Sequence, residues 1–216
     1  MEKWTVETEI FTHPFNCIIS GPTSCGKTHF LKNLLENRHI LIKNSQEKII
    51  FCYKTWQNSY SLIKNNIPNV IFNQGLLESE QLDSLTDAYI IFDDLNNECI
   101  NCEYIMNLFT VGSHHQRISV FVLTQNIFAK GKYSRDISLN TNYIILFRNP
   151  RDQLQLQIFA RQMFPGNSKF LIESFNDATK KPYSYLLIDL KQTTEQKNRI
   201  QSGILPGELR IIYTSK

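Results

Sequence analysis

The sequence predicts an α/β fold built on a doubly wound, mostly parallel sheet flanked by helices. Two observations predict it. Six short apolar runs, rich in β-branched and aromatic residues, recur along the chain. Between them lie amphipathic stretches with helical spacing. Apolar character that is continuous rather than alternating suits strands buried on both faces, as parallel strands are. Alternating strand and helix then implies right-handed crossovers within one sheet.

The strands are read at Phe15–Ser20 (FNCIIS), Lys48–Cys52 (KIIFC), Ala88–Phe92 (AYIIF), Ser119–Leu123 (SVFVL), Tyr143–Phe147 (YIILF) and Tyr185–Ile188 (YLLI). The first helix is read at Lys27–Asn37, where Phe30, Leu31, Leu34 and Leu35 share a face. Shorter helical patterns follow at Ser79–Leu85, with Ser79 as its N-cap, and at Glu103–Thr110. Asp152–Met163, entered just after Pro150, and Ser168–Ala178 complete the set. Residues 192–207 break the alternation. They predict a loop that brings the last apolar patch, Leu209–Tyr213, back to the sheet edge or to a neighbouring subunit.

At 216 residues the chain can bury one substantial core, and it carries neither an internal repeat nor a low-complexity linker. Residues 1–216 are therefore read as one domain, with about 192–216 as a C-terminal loop and edge segment. No apolar run approaches the length of a membrane helix, and the opening MEKWTVETEI has no apolar core of a secretory signal. Both point to a reducing, intracellular setting without membrane contact. The five cysteines fit that setting, being odd in number and scattered through candidate strands. Cys99 and Cys102 have CxxC spacing with His114 and His115 downstream, but adjacent histidines reach one zinc ion poorly, so these are read as thiols. Net charge is only +3, yet seven of the 23 Lys and Arg and only three of the 20 acidic residues lie from Lys180 onward. That segment is either a solvated basic tail or a surface for a polyanion.

The residues that carry chemistry begin at the end of the first strand. Gly21-Pro22-Thr23-Ser24-Cys25-Gly26-Lys27-Thr28 matches G-x-x-x-x-G-K-[ST] in full. Glycines allow the tight path on which backbone N–H groups converge on phosphate oxygens. Lys27 supplies a point charge to the β- and γ-phosphates, the Thr28 hydroxyl suits Mg2+, and the helix that follows aims its positive end at the same phosphates. The pattern arises by chance in a chain this long only about 1% of the time. Its strand-before, helix-after context makes chance rarer still. A P-loop NTPase fold is the expectation, with ATP and Mg2+ as its ligands.

Ala88-Tyr89-Ile90-Ile91-Phe92-Asp93-Asp94 supplies the second half. An apolar strand ending in carboxylates sets them at the edge where open α/β sheets bind nucleotides. Asp93 is read as the magnesium ligand and Asp94 as the general base for water. Thr124-Gln125-Asn126 ends the next strand; Gln125 is chosen to sense the γ-phosphate and orient water, with Asn126 second. A capping role for Thr124 or Asn126 competes with that reading. Arg148 and Arg151, just past the Tyr143–Phe147 strand, are candidates to stabilise transition-state charge, either near the catalytic edge or facing an adjacent subunit, where an arginine acts in trans. Arg117, Arg135 and Arg161 are weaker ones, and His13 and His115 are read as structural.

In order, HPFNCIISGPTSCGKTHF, YIIFDDL, HHQRISVFVLTQN and YIILFRNPRDQ resemble the genome-packaging ATPases of poxviruses and other large double-stranded DNA viruses. They are most like the versions in Polinton/Maverick elements and virophages, within the FtsK–HerA superfamily. The resemblance runs from about His13 to the SGILPGE segment at Ser202–Glu208. It implies that Gly21 to Thr28 form the Walker A loop, Asp93 the Walker B aspartate and Gln125 the glutamine of the following strand. The acid after the Walker B aspartate is often glutamate in the superfamily; here it is Asp94. The resemblance further implies a homo-oligomeric ring on double-stranded DNA, capsid portal or vertex proteins as partners, and a viral factory, the cytoplasm or the nucleus of an infected cell as location.

Three other readings compete with a DNA motor: a nucleoside or nucleotide kinase, a GTP-dependent switch, and a noncatalytic nucleotide-binding subunit. A kinase needs a lid, and only IFAKGKYSRDIS after Gln125 offers one, between two strands. A guanine switch needs Asn-Lys-x-Asp after a strand, and the sequence has no such run.

Overall fold

A computed structural model of the chain describes residues 9–127 and 129–215. Most of the opening MEKWTVETEI, read as no secretory signal, lies outside the described residues, as does Lys216 of the basic tail. Eleven strands are described: β1 (Phe11–Thr12), β2 (Asn16–Ser20), β3 (Ile42–Lys43), β4 (Lys48–Tyr53), β5 (Val70–Gln74), β6 (Ala88–Asp93), β7 (Ile118–Thr124), β8 (Tyr143–Phe147), β9 (Tyr185–Asp189), β10 (Ile200–Ser202) and β11 (Ile211–Tyr213). The helices are α1 (Lys27–Glu36), α2 (Arg38–Leu41), α3 (Asn58–Asn66), α4 (Ser79–Asp83), α5 (Asn96–Ile100), α6 (Glu103–Asn107), α7 (Ser113–His115), α8 (Ser134–Leu139), α9 (Gln153–Met163) and α10 (Ser168–Ala178). β1 and β3 pair in a small parallel sheet, and the other nine strands form one sheet in the order β11-β10-β9-β8-β2-β7-β6-β4-β5.

From β5 to β8 every pairing is parallel. All six strands read from the sequence are present, and the apolar runs are continuous because helices lie over both faces. Along β4, Ile49 and Phe51 join the core under α1 and α3, whereas Ile50 and Cys52 join the core under α4, α5 and α6. The middle strands β6 and β7 have no exposed residue. A fully buried large apolar side chain contributes about 1.5–3 kcal/mol. Strands so packed hold the residues at their tips in fixed positions.

Several expectations are corrected. Tyr185–Ile188 is not a parallel strand: β9 runs antiparallel to β8. One crossover helix returns a chain to the far end of the sheet, but α9 and α10 pack as a pair and bring it back to the end it left. β9 is nevertheless buried on both faces, by α10 on one and by Phe30 of α1 on the other. Ser79 is not the N-cap of α4. Glu78 takes that place in a capping box with Gln81, whose side chain accepts from the Glu78 N–H at 2.9 Å. α9 is capped by Asp152, which accepts from the Gln155 N–H at 3.2 Å, two residues after Pro150. The helix expected at Glu103–Thr110 passes into a π-helical turn at Leu108–Gly112, where the Asn16 amide donates to the Phe109 carbonyl at 2.9 Å. β5 and α3 have no counterpart in the sequence reading.

His13 has the structural role expected of it. It is buried, its Nδ1 lies 2.7 Å from Ser119 Oγ, and burial lowers its pKa. The C-terminal segment does return to the sheet edge, as β10 and β11. Pro206 and Gly207 turn the chain there, with Gly207 at φ 86° and the Glu208 N–H donating to the Leu205 carbonyl at 3.0 Å. The Tyr185 hydroxyl donates to Glu208 Oε2 at 2.5 Å and accepts from the Ile204 N–H at 3.1 Å.

Gly203 is the position on which this return depends. Its φ is 65°, and an added Cβ would lie 2.1 Å from the Leu209 carbonyl oxygen. Gly203→Ala should therefore cost more than about 1 kcal/mol. The loss should be local: amide protection at Ile211–Tyr213 should fall at least tenfold in hydrogen exchange while β6 and β7 keep theirs. Equal protection in mutant and wild type would contradict this path for the hairpin.

Candidate active site

The end of β2 continues into the glycine loop without leaving the sheet, since the Gly21 N–H donates to the Thr124 carbonyl at 3.1 Å. Gly21 is wedged there. A Cβ on it would lie 2.6 Å from Phe147 Cβ and 2.7 Å from Cys25 Sγ. Ser24 at φ 63° and Gly26 at φ 105° curl the loop into α1, whose first residue is Lys27. Lys27 Nζ donates to the carbonyls of Gly21 at 2.7 Å and Pro22 at 3.0 Å, across the mouth of the loop. Thr23 and Ser24 are exposed at its rim.

Thr28, one residue into α1, meets the tip of β6. Its hydroxyl donates to Asp93 Oδ2 at 3.3 Å. The Tyr60 hydroxyl, from α3, donates to the same oxygen at 3.0 Å. Asp93 is only 3% exposed, and this burial, aided by Asp94 beside it, raises its pKa to about 6 against the pull of Tyr60, Lys27 and Thr28. Asp94 differs in every respect. It is exposed, sits in the left-handed region at φ 58°, and accepts from Gln57 Nε2 at 3.0 Å through Oδ2. Backbone reversal between two adjacent carboxylates points one into the fold and leaves the other in the open.

Because β7 lies between β2 and β6, its tip comes between the loop and the two aspartates. Gln125 is exposed there and shares a cleft of about 360 Å³ with Thr23, Lys27, Thr28, Asp93 and Asp94. Thr124 is not a helix cap. Its Oγ1 accepts from the Asn126 N–H at 3.1 Å and fixes the turn after the strand. Arg148 and Arg151 are exposed past the end of β8, and neither guanidinium has an ion-pair partner among the described residues. Arg148 lies on the other side of the loop from the aspartates, beside Cys25. Of the weaker candidates, Arg117 pairs with Asp87 at 2.9 Å and Arg161 bonds the Gln157 carbonyl. Cys99 and Cys102 are free thiols.

The basic segment after residue 180 is largely engaged within the fold. Lys180 pairs with Asp177 and Lys197 with Glu195, while Arg199 donates to the carbonyls of Asp189 and Lys191. Tyr60 and Gln57 are the site residues that sequence reasoning missed. The 3- and 4-residue spacing of Tyr60, Ile63 and Ile67 is the signal that could have shown the helix carrying Tyr60. Nothing local marks Gln57.

No helix among the described residues is long and apolar enough to cross a membrane. No family model matches the sequence, and no curated protein matches it. The fold, by contrast, is shared with solved structures. The genome packaging NTPase B204 of Sulfolobus turreted icosahedral virus 2, in complex with sulfate, matches with a TM-score of 0.56 at 11% identity over 94% of this chain and 96% of that one. Its complex with AMP matches at 0.52 and 12% identity, over 88% and 96%. B204, the DNA-packaging ATPase of Sulfolobus turreted icosahedral virus, matches at 0.53 and 14% identity, over 94% and 98%. The chain thus has an α/β fold of the P-loop ATPase kind, with a mostly parallel sheet flanked by helices.

The buried Asp93 carboxylate has a measurable consequence. The fold holds its proton up to about pH 6, whereas an unfolded chain releases it near 3.8. Ionised Asp93 therefore lowers stability progressively between those values, and by its full amount above them, about 2–3 kcal/mol. Asp93→Asn, which cannot ionise, should gain about that much on wild type between pH 4 and pH 7.5 in urea denaturation without nucleotide or metal. A stability difference that stays flat across this range would show that Asp93 is not desolvated.

Proposed function

We propose that this protein is an ATP-hydrolysing motor that translocates double-stranded viral DNA into a preformed capsid. The observation that carries the ATPase half is the meeting of Thr28 with Asp93, 3.3 Å apart at the mouth of the glycine loop. The packaging half is supported by the fold shared with B204 and by the motif order from His13 to Glu208. The reading takes the sheet as doubly wound about β2, whose neighbours β7 and β8 lie on either side of the loop, where open α/β sheets take their ligands.

The donor set fits a hard divalent cation. A hydroxyl and a carboxylate oxygen converge, with no thiol or imidazole between them, which is the chemistry of Mg2+ rather than of zinc. Thr28 and Asp93 would hold it, and the ion would neutralise charge on the phosphates. The Gly21 N–H is held by Thr124 and Pro22 has none, so the loop would offer the β-phosphate the backbone N–H groups after Pro22, with Pro22, Thr23, Ser24 and Cys25 forming the wall. Lys27 turns its ammonium from two carbonyls to the phosphate oxygens. Asp94, held by Gln57 and open to solvent, takes the proton of the attacking water. Gln125, one residue past the end of β7, orients that water. Arg148 or Arg151 reaches a neighbouring subunit in a ring and stabilises charge in its transition state. DNA binds through its phosphates, and capsid vertex or portal proteins receive the ring.

A nucleotide kinase is the second reading that shares this loop. The open carboxylate Asp94 in the same cleft as Gln125 favours water as acceptor. Lys27→Ala should abolish hydrolysis. Asp94→Asn should leave the KM for ATP within about threefold and lower kcat by a factor of about 100 or more, the usual contribution of a general base. Double-stranded DNA should stimulate phosphate release by wild type, and the stimulation should fade as salt rises. Phosphoryl transfer to a nucleoside in place of phosphate release, or turnover indifferent to DNA, would count against the motor.

A further inference from the structure

The glycine loop has a second flank, away from Asp93 and Asp94. A groove of about 390 Å³ opens there beside Cys25, between the segment after β8 and the segment that enters β9. Arg148 and Pro150 form one wall, and Lys181, Pro182 and Tyr183 the other. The two flanks differ in chemistry. The first presents carboxylates and amides to the cleft, whereas the second presents the exposed Tyr183 ring, two prolines and three cations (Arg148, Lys180 and Lys181), and no carboxylate lines it among the described residues.

Tyr183 is an anomaly in this wall. It is 70% exposed although aromatic. It stands at φ 65°, where a bulky side chain is strained. The turn that holds it runs from Lys181 to Ser184, closed by the Ser184 N–H on the Lys181 carbonyl at 3.3 Å, with Pro182 second. The third position of a Pro-led turn with positive φ belongs by preference to glycine. A tyrosine there gives up local stability, and most of its surface stays exposed. Its ring lies over the loop: Tyr183 Cδ1 is 3.4 Å from where a side chain on Gly26 would begin.

We propose that this groove is the nucleoside subsite, in which the Tyr183 ring takes the face of the base. A nucleotide whose terminal phosphate lies toward Asp93 must carry its nucleoside out past the other flank. A base needs a flat apolar partner, and Tyr183 with Pro182 supplies one. The ribose and the adjoining phosphate need hydrogen-bond donors, and Arg148 and Lys181 border that space. Stacking does not depend on which base is present, so ATP and GTP should bind with similar strength here. Arg148 then serves its own subunit's nucleotide, which leaves Arg151 as the arginine free to reach a neighbour.

The proposal rests on reading Gly21–Thr28 as a phosphate loop, and its test separates the two. Dissociation constants are measured for MgATP and for magnesium tripolyphosphate, which has the phosphates but no nucleoside. Tyr183→Gly should weaken ATP binding about tenfold or more, within the range of one stacked base. The same change should leave tripolyphosphate binding within twofold and raise or keep the melting temperature, since glycine suits the turn. Tyr183→Phe should retain ATP affinity. ATP binding within twofold of wild type in Tyr183→Gly would overturn the subsite while leaving the phosphate loop intact. Equal loss of ATP and tripolyphosphate in that variant would also overturn it, because Tyr183 would then be propping the loop. A wild-type protein that binds neither ligand would remove the phosphate loop and the subsite together.

Discussion

The site is organised around one carboxylate oxygen that has little water around it. Asp93 Oδ2 accepts from Thr28 of α1 and from Tyr60 of α3. Burying an ionised carboxylate is unfavourable unless donors replace its hydration. The two hydroxyls supply part of that replacement, and the remainder shows as a pKa displaced to about 6. On the proposed reading, a cation at this oxygen would offset the desolvation that now raises its pKa.

The same carboxylate explains why the missed elements matter. β5 and α3 extend the sheet beyond β4 and bring Tyr60 under the tip of β6. Their sequences, VIFNQ and NSYSLIKNN, are short and half polar, because β5 is an edge strand and α3 covers it from one side. Edge elements bury less, so they carry less of the apolar pattern from which a fold is read. The central strands, buried on both faces, announced themselves for the opposite reason. The reversal at β9 was hidden because a strand covered on both sides looks alike in either direction; only the pairing of α9 with α10 reveals it.

In the site, the legible part was the part with fixed spacing. Eight consecutive residues define the loop, and two carboxylates after an apolar run define the tip of β6. The geometry then separates Asp93 from Asp94 by a single left-handed residue, a distinction the letters DD do not carry. Gln57 was illegible because it reaches Asp94 across 37 positions of sequence through one hydrogen bond. Tyr183 was illegible because strain is a property of the backbone, and the composition KKPYS looks like any polar turn.

The reversal at β9 also alters what the edge of the sheet that carries the glycine loop is made of. In a wholly parallel sheet each strand offers that edge its outgoing end alone, and every incoming segment lies on the opposite side. Antiparallel β9 begins where β8 finishes, Tyr185 facing Phe147. The edge therefore receives an arriving stretch of chain, residues 179–184, as well as the departing ones. Anchored by the Tyr185 hydroxyl to Glu208 and by its ring to Phe30, that stretch is tethered at once to the C-terminal hairpin and to the helix of the glycine loop. A displacement of α1 would thus reach the sheet's far border through two side chains, with no rearrangement of the central strands.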